Sequence, residues 1–294
     1  MNCGLHQVLP PNQMLPAENF QRAAAIQGRP PEVEALHLDR ARLKPSELSV
    51  YSRFIRYARV MSWIAGVDGC RAGWFRVCCN TKSGEIVFDV VASVEDLVDR
   101  APAPAIVAID IPIGLPDSGS RDCDRLAREC LGVRRSSVFR APIRPAIDAT
   151  SRAEADHITR QADGKGVSAQ SWGIYGKVRL VDDALHRRRS LRAVFHEVHP
   201  EVCFWAWNGR EPMKSSKKKA DGRCERLALA EDWLGEGVMA RARGNRLKKH
   251  LADDDILDAI AALWTAHRIA SGEAERLPSP PPMDQDLLPM QIVF

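Results

Sequence analysis

Two short apolar stretches, IAGVDGCRAGW (residues 64–74) and AIVAIDIPIGLP (residues 105–116), decide the fold of this 294-residue chain. Each reads as a β-strand whose apolar residues end on a single aspartate, Asp68 in the first stretch and Asp110 in the second. A buried carboxylate without a partner is energetically costly, so it usually pairs with a cation, shifts its pKa or takes part in chemistry. The two aspartates therefore mark a candidate functional site.

The segments around these stretches predict a mixed α/β sheet. WIAGVD, WFRVCCN and EIVFDVVA have the pattern of three strands joined in a meander, with turn residues between the second and the third. AIVAIDIPIG is the continuous apolar run expected of a central parallel strand, and RAVFHEV predicts a fifth strand. If the last two strands run parallel to the first, a five-stranded mixed sheet flanked by helices results. Asp68 and Asp110 then lie at the carboxyl ends of neighbouring parallel strands, where open α/β sheets place their ligand crevices.

The strongest helix signal, DDDILDAIAALWTAHRIA (residues 253–270), supplies further acids. Asp255 and Asp258 are three residues apart and share one face of the helix. Aspartates in the first turn of a helix often only cap it, which is a sufficient explanation for Asp253 and Asp254. It explains Asp258 poorly, because Asp258 lies beyond the first turn. Since Asp258 adjoins the apolar stripe that should pack on the sheet, we expect it at the edge of the buried face.

Asp68, Asp110 and Asp258 together form a set of oxygen donors that suits Mg²⁺ or Mn²⁺ rather than zinc. Two such ions, about 3.5–4 Å apart, clamp the attacking and leaving oxygens of a phosphodiester and activate a water. Asp255 or Glu197 would assist; Glu197 closes the fifth strand and is either a further ligand or a nearby base. A single aspartate more often pairs with an arginine or caps a turn, but converging carboxylates repel one another unless a cation neutralises them.

The domain organisation follows from apolar periodicity. Residues 1–60 are rich in Pro, Gln, Arg and Ala, and their few apolar residues predict a poorly structured N-terminal extension. An over-extended start, with Met61 as the true first residue, is one explanation, and a regulatory or docking arm is the other. Residues 61–294 are expected to form the α/β domain, and the polar residues 117–190 a helical subdomain inserted between strands 4 and 5.

Charge and cysteine content narrow the class of protein. The chain has 42 Lys and Arg against 38 Asp and Glu, and a formal charge of +4 does not by itself indicate a nucleic-acid partner. Its eight cysteines include no CxxC pair, which predicts reduced thiols in a cytoplasmic protein. No apolar run reaches the length of about 18 residues that a membrane span requires. Basic clusters such as KSSKKKADGR are most simply solvated loops, although a polyanion over the acids would need a basic rim.

Several sequence blocks, in order over roughly residues 61–290, resemble the family known as domain of unknown function 429. The blocks are GVDGCRAGW, AIDIPIGLP, RxCDxxAR, LGVRRSSVF, GVSAQSW, EVHPEVCFWAW and DDILDAIAALWTAHRIA. This family is described as predicted nucleases of the ribonuclease H-like fold. The resemblance implies acids at the ends of the first and fourth strands and on the last helix, here Asp68, Asp110 and Asp258. It also implies phosphodiester hydrolysis, and the Asp255 and Asp258 pair is similar to that of Holliday-junction resolvases.

Three functions remain open at this point. The first is a metal-dependent nuclease with nucleic acid as its partner. The second is a non-catalytic ribonuclease H-like module that binds a protein or nucleic acid through its insertion. The third is a hydrolase or phosphotransferase that uses the same acids on a small phosphorylated metabolite. The third predicts a narrow closed pocket under residues 117–190, whereas a nuclease needs an open basic groove.

Overall fold

The computed structural model describes residues 63–294, so the predictions for residues 1–60 and for Met61 as the start lie outside the described residues. The main sheet consists of β1 (Trp63–Cys70), β2 (Gly73–Asn80), β3 (Ile86–Val91), β4 (Ile106–Ile109) and β5 (Phe195–Glu197). Its strand order is β3-β2-β1-β4-β5. The first three strands form an antiparallel meander, and β4 and β5 continue the sheet parallel to β1. The predicted five-stranded mixed sheet is confirmed.

Helices follow or separate these strands. They are α1 (Asp96–Asp99), α2 (Asp122–Leu131), α3 (Arg152–Asp163), α4 (Ala169–Arg187), α5 (Pro200–Trp207), α6 (Ala220–Leu234), α7 (Val238–Arg243) and α8 (Asp253–Ser271). Helices α2, α3 and α4 lie between β4 and β5, in the segment where the sequence predicts helices. A small hairpin of β6 (Arg276–Leu277) and β7 (Ile292–Val293) ends the chain. None of the helices within residues 63–294 combines the length and apolarity needed to cross a membrane.

The sheet is covered on both faces, as the continuous apolar run of β4 predicts. Because successive side chains of a strand point to opposite faces, each strand contributes to two cores. Ile64 and Ala108 belong to the core that contains α8. Val67 and Ile109 belong to the core that contains α4. Helix α4 therefore packs on the main sheet, while the existence of a separate subdomain over residues 117–190 stays a prediction.

Helix α8 lies directly on β1 because residue 66 is glycine. A Cβ atom on Gly66 would lie 2.0 Å from the backbone nitrogen of Leu263 and 2.2 Å from the carbonyl oxygen of Ala259. Both distances are far inside van der Waals contact, so any side chain here would push the helix away from the strand. This close approach brings the first turns of α8 and their acids to the carboxyl end of β1.

Candidate functional site

The first two predicted acids lie side by side at the edge of the sheet. Val67 of β1 is in register with Ile109 of β4, and the N–H of Asp110 donates to the carbonyl of Val67 at 3.1 Å. Asp68 and Asp110 therefore occupy the next row and point to the face that α8 covers. Asp68 is buried, and one of its carboxylate oxygens accepts a hydrogen bond from the N–H of Gly69 at 2.7 Å.

The third predicted acid, Asp258 of α8, faces this pair. Burial raises the pKa of Asp68 well above its usual range, and the charges of Asp110 and Asp258 raise it further. Burial and the charge of Asp258 also raise the pKa of Asp110 to about 8. Burial raises the pKa of Asp258 to about 6, although Lys217 opposes that shift. The fold thus gathers the three carboxylates into one mutually repelling group, which we call the acid edge.

A lysine accompanies the acid edge. Lys217, in the segment before α6, forms a salt bridge with Oδ2 of Asp258. Burial opposes the charge of Lys217, but the carboxylates of Asp258, Asp68 and Asp110 raise the pKa of the lysine above its usual range. The prediction of a solvated basic loop is wrong for Lys217, because its ammonium turns inward to the acids. Oδ1 of Asp258 remains buried without a hydrogen-bond partner.

Asp255, the predicted assistant on α8, has a capping contact. Its Oδ2 accepts a hydrogen bond from the backbone N–H of Ala252 at 2.8 Å, which satisfies one of the free donors at the start of the helix. Burial nevertheless raises the pKa of Asp255, and its charge contributes to the raised pKa of Asp68. Asp255 therefore stands at the margin of the acid edge, and its part in metal binding stays a prediction.

Glu197, the other predicted assistant, points to the opposite face of the sheet from Asp110. Glu197 is in register with Ile109, one row before Asp110, so strand alternation turns its side chain the other way. There its carboxylate accepts the N–H of Ile113 at 2.6 Å and two N–H groups of Arg121 at 2.7 Å each. Burial raises the pKa of Glu197 to about 7, against the effect of Arg121. The structure therefore pairs Glu197 with Arg121, while the charge of Glu197 also contributes to the raised pKa of Asp110. Its part in metal binding stays a prediction.

Arg121 organises a second buried cluster. Besides Glu197, its guanidinium binds Asp124 at 2.7 Å, and the Cys123 thiol lies 3.8 Å from the same carboxylate. Within residues 63–294, Cys123, Asp124 and Glu197 are the only three such side chains whose potential metal-binding atoms all lie within 4.8 Å of one another. Both carboxylates already contact a buried guanidinium, and burial raises the pKa of Cys123, which favours the protonated thiol. The guanidinium of Arg121 therefore takes the place that a metal ion would have in this cluster.

Several of these partners are missed by reasoning from sequence. Arg121 and Asp124 are three residues apart at the start of α2, a visible spacing inside the RxCDxxAR block. In a second buried pair, Nη2 of Arg226 donates to both carboxylate oxygens of Glu201 at 2.7 Å, which fixes α5 to α6. The sequence does not indicate that Arg121 reaches Glu197 or that Arg226 reaches Glu201, because the two residues of each pair are far apart in the chain.

A cavity of about 380 Å³ opens beside the acid edge. Asp110 and Lys217 line it, and so do Arg121 and Glu197 of the second cluster. Other walls come from the segment between β4 and β5 and from the start of α5; they include Pro112, Asp124, Arg134, Ser136, Ser137, Val138, Phe139, Gln170, Ile174, His199 and Glu201. The cavity therefore connects the carboxyl edge of the sheet with the helical segment that precedes β5.

Comparison with known proteins identifies a family. A family model described as "Protein of unknown function (DUF429)" matches residues 66–283, which is most of the chain. The chain belongs to this family, as its sequence blocks predict. Searches among the curated proteins and among the solved structures gave no match.

Proposed function

We propose that this protein is a metal-dependent nuclease of the ribonuclease H-like fold that hydrolyses phosphodiester bonds. The observation that carries the proposal is the convergence of Asp68, Asp110 and Asp258 at one edge of the sheet. Asp68 lies near the end of the first strand, Asp110 follows the fourth strand and Asp258 lies on the last long helix. The family resemblance implies acids at these positions. The mixed sheet, with β4 and β5 parallel to β1, is compatible with that fold.

The acid edge fits a divalent cation by its chemistry. Three carboxylates are hard oxygen donors suited to Mg²⁺ or Mn²⁺. Lys217 supplies one positive charge to the group, and Oδ1 of Asp258 is buried without a hydrogen-bond partner. Asp68, Asp110 and Asp258 would hold the ion, with Asp255 beside them. A bound ion would activate a water and stabilise negative charge on phosphate oxygens.

The chain's own residues supply the remaining requirements of phosphoester hydrolysis. Lys217 lies next to the acids and carries a positive charge that suits the phosphate oxygens of a substrate. Arg121 fixes Glu197 and Asp124 at the wall of the cavity and so keeps the end of β5 and the start of α2 together. Preorganised charge of this kind is the main contribution that proteins make to phosphoryl chemistry.

The cavity favours a second candidate, a hydrolase or phosphotransferase for a small phosphorylated metabolite. Its volume of about 380 Å³ falls in the range of small-molecule sites, roughly 300–1,000 Å³. Part of its wall comes from residues 117–190, as the small-substrate hypothesis predicts. Both candidates use the same acids, and they differ in the size of the substrate.

The test is thermal melting of the full chain with and without Mg²⁺ or Mn²⁺. We expect the metal to raise the melting temperature of the wild type and not that of Asp68→Asn, because a ligand stabilises the state that binds it. Asp117→Asn, a change at an exposed acid, is the matched control and should behave as the wild type. Hydrolysis of RNA, DNA, hybrid, junction and small phosphate-ester substrates then separates the two candidates.

A non-catalytic module gives a different result in the same experiment. Without a metal site, Asp68→Asn would raise stability by relieving repulsion at the acid edge, and the metal would have no effect on melting. The absence of any metal-dependent rise in the wild type at millimolar concentrations would contradict the proposed nuclease.

A further inference from the structure

The cavity beside the acid edge contains polar groups without partners. Nε of Arg134 is buried and has no hydrogen-bond partner within the described part of the chain. Nδ1 of His199 is also buried without a hydrogen-bond partner in this part of the chain. The other ring nitrogen of His199 lies 3.4 Å from the carbonyl oxygen of Ser137. Buried polar groups in proteins are nearly always hydrogen-bonded, so these two atoms leave unused hydrogen-bonding capacity in the residues of the cavity wall. Arg134 offers a donor, and His199 offers an acceptor when its other nitrogen carries the proton.

The charges of the cavity favour an anion. Three of the four acids of its wall are paired with arginines within the protein: Glu197 and Asp124 bind Arg121, and Glu201 binds Arg226. The fourth, Asp110, belongs to the acid edge. Arg134 and the exposed Lys218 line the same cavity, and no carboxylate among residues 63–294 forms a salt bridge with either. A planar guanidinium with free N–H groups is well suited to a phosphate. Arg134 and Lys218 are therefore the groups of the cavity wall to which a phosphate would bind.

The same cavity has an apolar side. Phe139 is 45% exposed and lines it, together with Ile174 and Ile292. A half-exposed aromatic ring beside free cations is typical of surfaces on which nucleobases stack. The segment from Arg134 to Phe139, which contains a 3₁₀ turn over Gly132–Ser137, thus presents both a phosphate-binding group and a stacking surface.

We propose that this cavity binds a single nucleotide unit, with the phosphate at Arg134 and Lys218 and the base against Phe139. A volume of about 380 Å³ accommodates one nucleotide and not a duplex. The inference rests on the proposed function, because the acid edge, whose Asp110 lines the cavity, would carry out the hydrolysis. It names the substrate as a mononucleotide or a single-stranded end of a nucleic acid. Binding can be measured separately from hydrolysis.

The experiment is isothermal titration of the full chain in EDTA, so that metal chemistry does not contribute. The probes are a nucleoside 5′-monophosphate, the corresponding nucleoside, a sugar phosphate and inorganic phosphate. We expect Arg134→Gln to weaken nucleotide binding by roughly tenfold or more, the size of a lost charged hydrogen bond. Phe139→Ala should weaken binding of the nucleotide and the nucleoside but not that of inorganic phosphate. Arg135→Gln, a neighbouring exposed arginine outside the cavity wall, should bind as the wild type.

The outcomes separate this inference from the proposed function. Equal binding of the sugar phosphate and the nucleotide, unchanged by Phe139→Ala, would overturn the assignment of a nucleotide. Failure of the wild type to bind the nucleotide at millimolar concentration would overturn it as well, even if Asp68→Asn abolishes hydrolysis. Nucleotide binding that depends on Arg134 and Phe139, without metal-dependent hydrolysis, would support the inference and contradict the proposed function alone.

Discussion

The ammonium of Lys217 is held against the carboxylate of Asp258, 41 residues further along the chain. This contact makes Lys217 the internal counter-ion of the acid edge. Its charge also opposes the rise in the pKa of Asp68 and of Asp110. A divalent cation at the acid edge would compete with Lys217 for Asp258. The lysine therefore determines both how stable the metal-free protein is and how strongly it binds metal.

Replacement of Lys217 should reveal this competition. We expect Lys217→Met to lower stability in EDTA by on the order of 2 kcal/mol, less than the loss for a fully buried pair, because the lysine side chain is 30% exposed. We also expect a larger metal-induced rise in melting temperature than in the wild type. Thermal melting with and without Mg²⁺ measures both effects. Lys218→Met removes a neighbouring exposed lysine and should change neither; identical behaviour of the two variants would contradict the role of Lys217.

The acid edge predicts that the metal-free protein becomes less stable as pH rises. The pKa of Asp110 is about 8 in the folded chain against an ordinary value of 3.8, so folding takes up a proton between these values. Stability then falls from about pH 4 to about pH 8, because the unfolded state binds fewer protons there. At pH 8, Asp110→Asn should exceed the wild type by more than about 1.4 kcal/mol, the equivalent of one pKa unit.

Chemical denaturation in EDTA at pH 5 and pH 8 tests this dependence on Asp110. The difference between wild type and Asp110→Asn isolates the aspartate from histidines such as His196, whose burial lowers its pKa to about 4 and gives the opposite slope. A constant difference between the two proteins across this pH range would contradict the prediction.

The contact between β1 and α8 depends on Gly66. Gly66→Ala places a Cβ atom against the backbone of α8 and should destabilise the protein by several kcal/mol, as overpacked cores do. It should also weaken the metal-induced rise in melting temperature, since Asp258 moves away from Asp68. Gly173→Ala, in α4, has open space around its Cβ position and is expected to be neutral or stabilising by up to about 1 kcal/mol. Comparable melting of both variants would show that the close approach is not required.

Arg121 is predicted to be essential to stability. Arg121→Met leaves the carboxylates of Glu197 and Asp124 buried without a cation, and we expect a loss of about 3–5 kcal/mol in the free energy of unfolding. Arg125→Met removes an exposed arginine whose partner Glu129 is exposed as well, and it should leave the free energy of unfolding nearly unchanged. Urea denaturation of the two variants measures the contrast, and a similar small loss in both would refute the prediction.

Glu197 should prove separable from the metal site. Because its carboxylate lies on the opposite face of the sheet from Asp110 and binds Arg121, Glu197→Gln should lower stability and still allow the metal-induced rise in melting temperature. Loss of that rise, as expected for Asp68→Asn, would instead identify Glu197 as a metal ligand. The two variants measured side by side therefore decide between a positioning role and ligation.

The positions of the acids follow largely from local sequence. Alternating and continuous apolar residues report burial, so the strands around Asp68 and Asp110 and the helix that carries Asp258 can be predicted from their periodicity. The face that the side chain of Glu197 takes cannot be predicted in this way, since a shift of one residue in register turns a side chain to the other face. Register between β4 and β5 is set by packing across the 85 intervening residues, and no local pattern encodes it.

The sequence by itself determined the mixed sheet and the edge at which its acids collect, because these depend on residue spacing within single strands and helices. Only the tertiary structure decided which basic side chain pairs with which acid. Arg121 reaches Glu197 over 76 positions, and Lys217 reaches Asp258 over 41. Both basic residues look like ordinary surface charges in the sequence. Their partners depend on where the connecting segments cross the end of the sheet. The spacing of charged residues in the sequence does not predict where these segments cross.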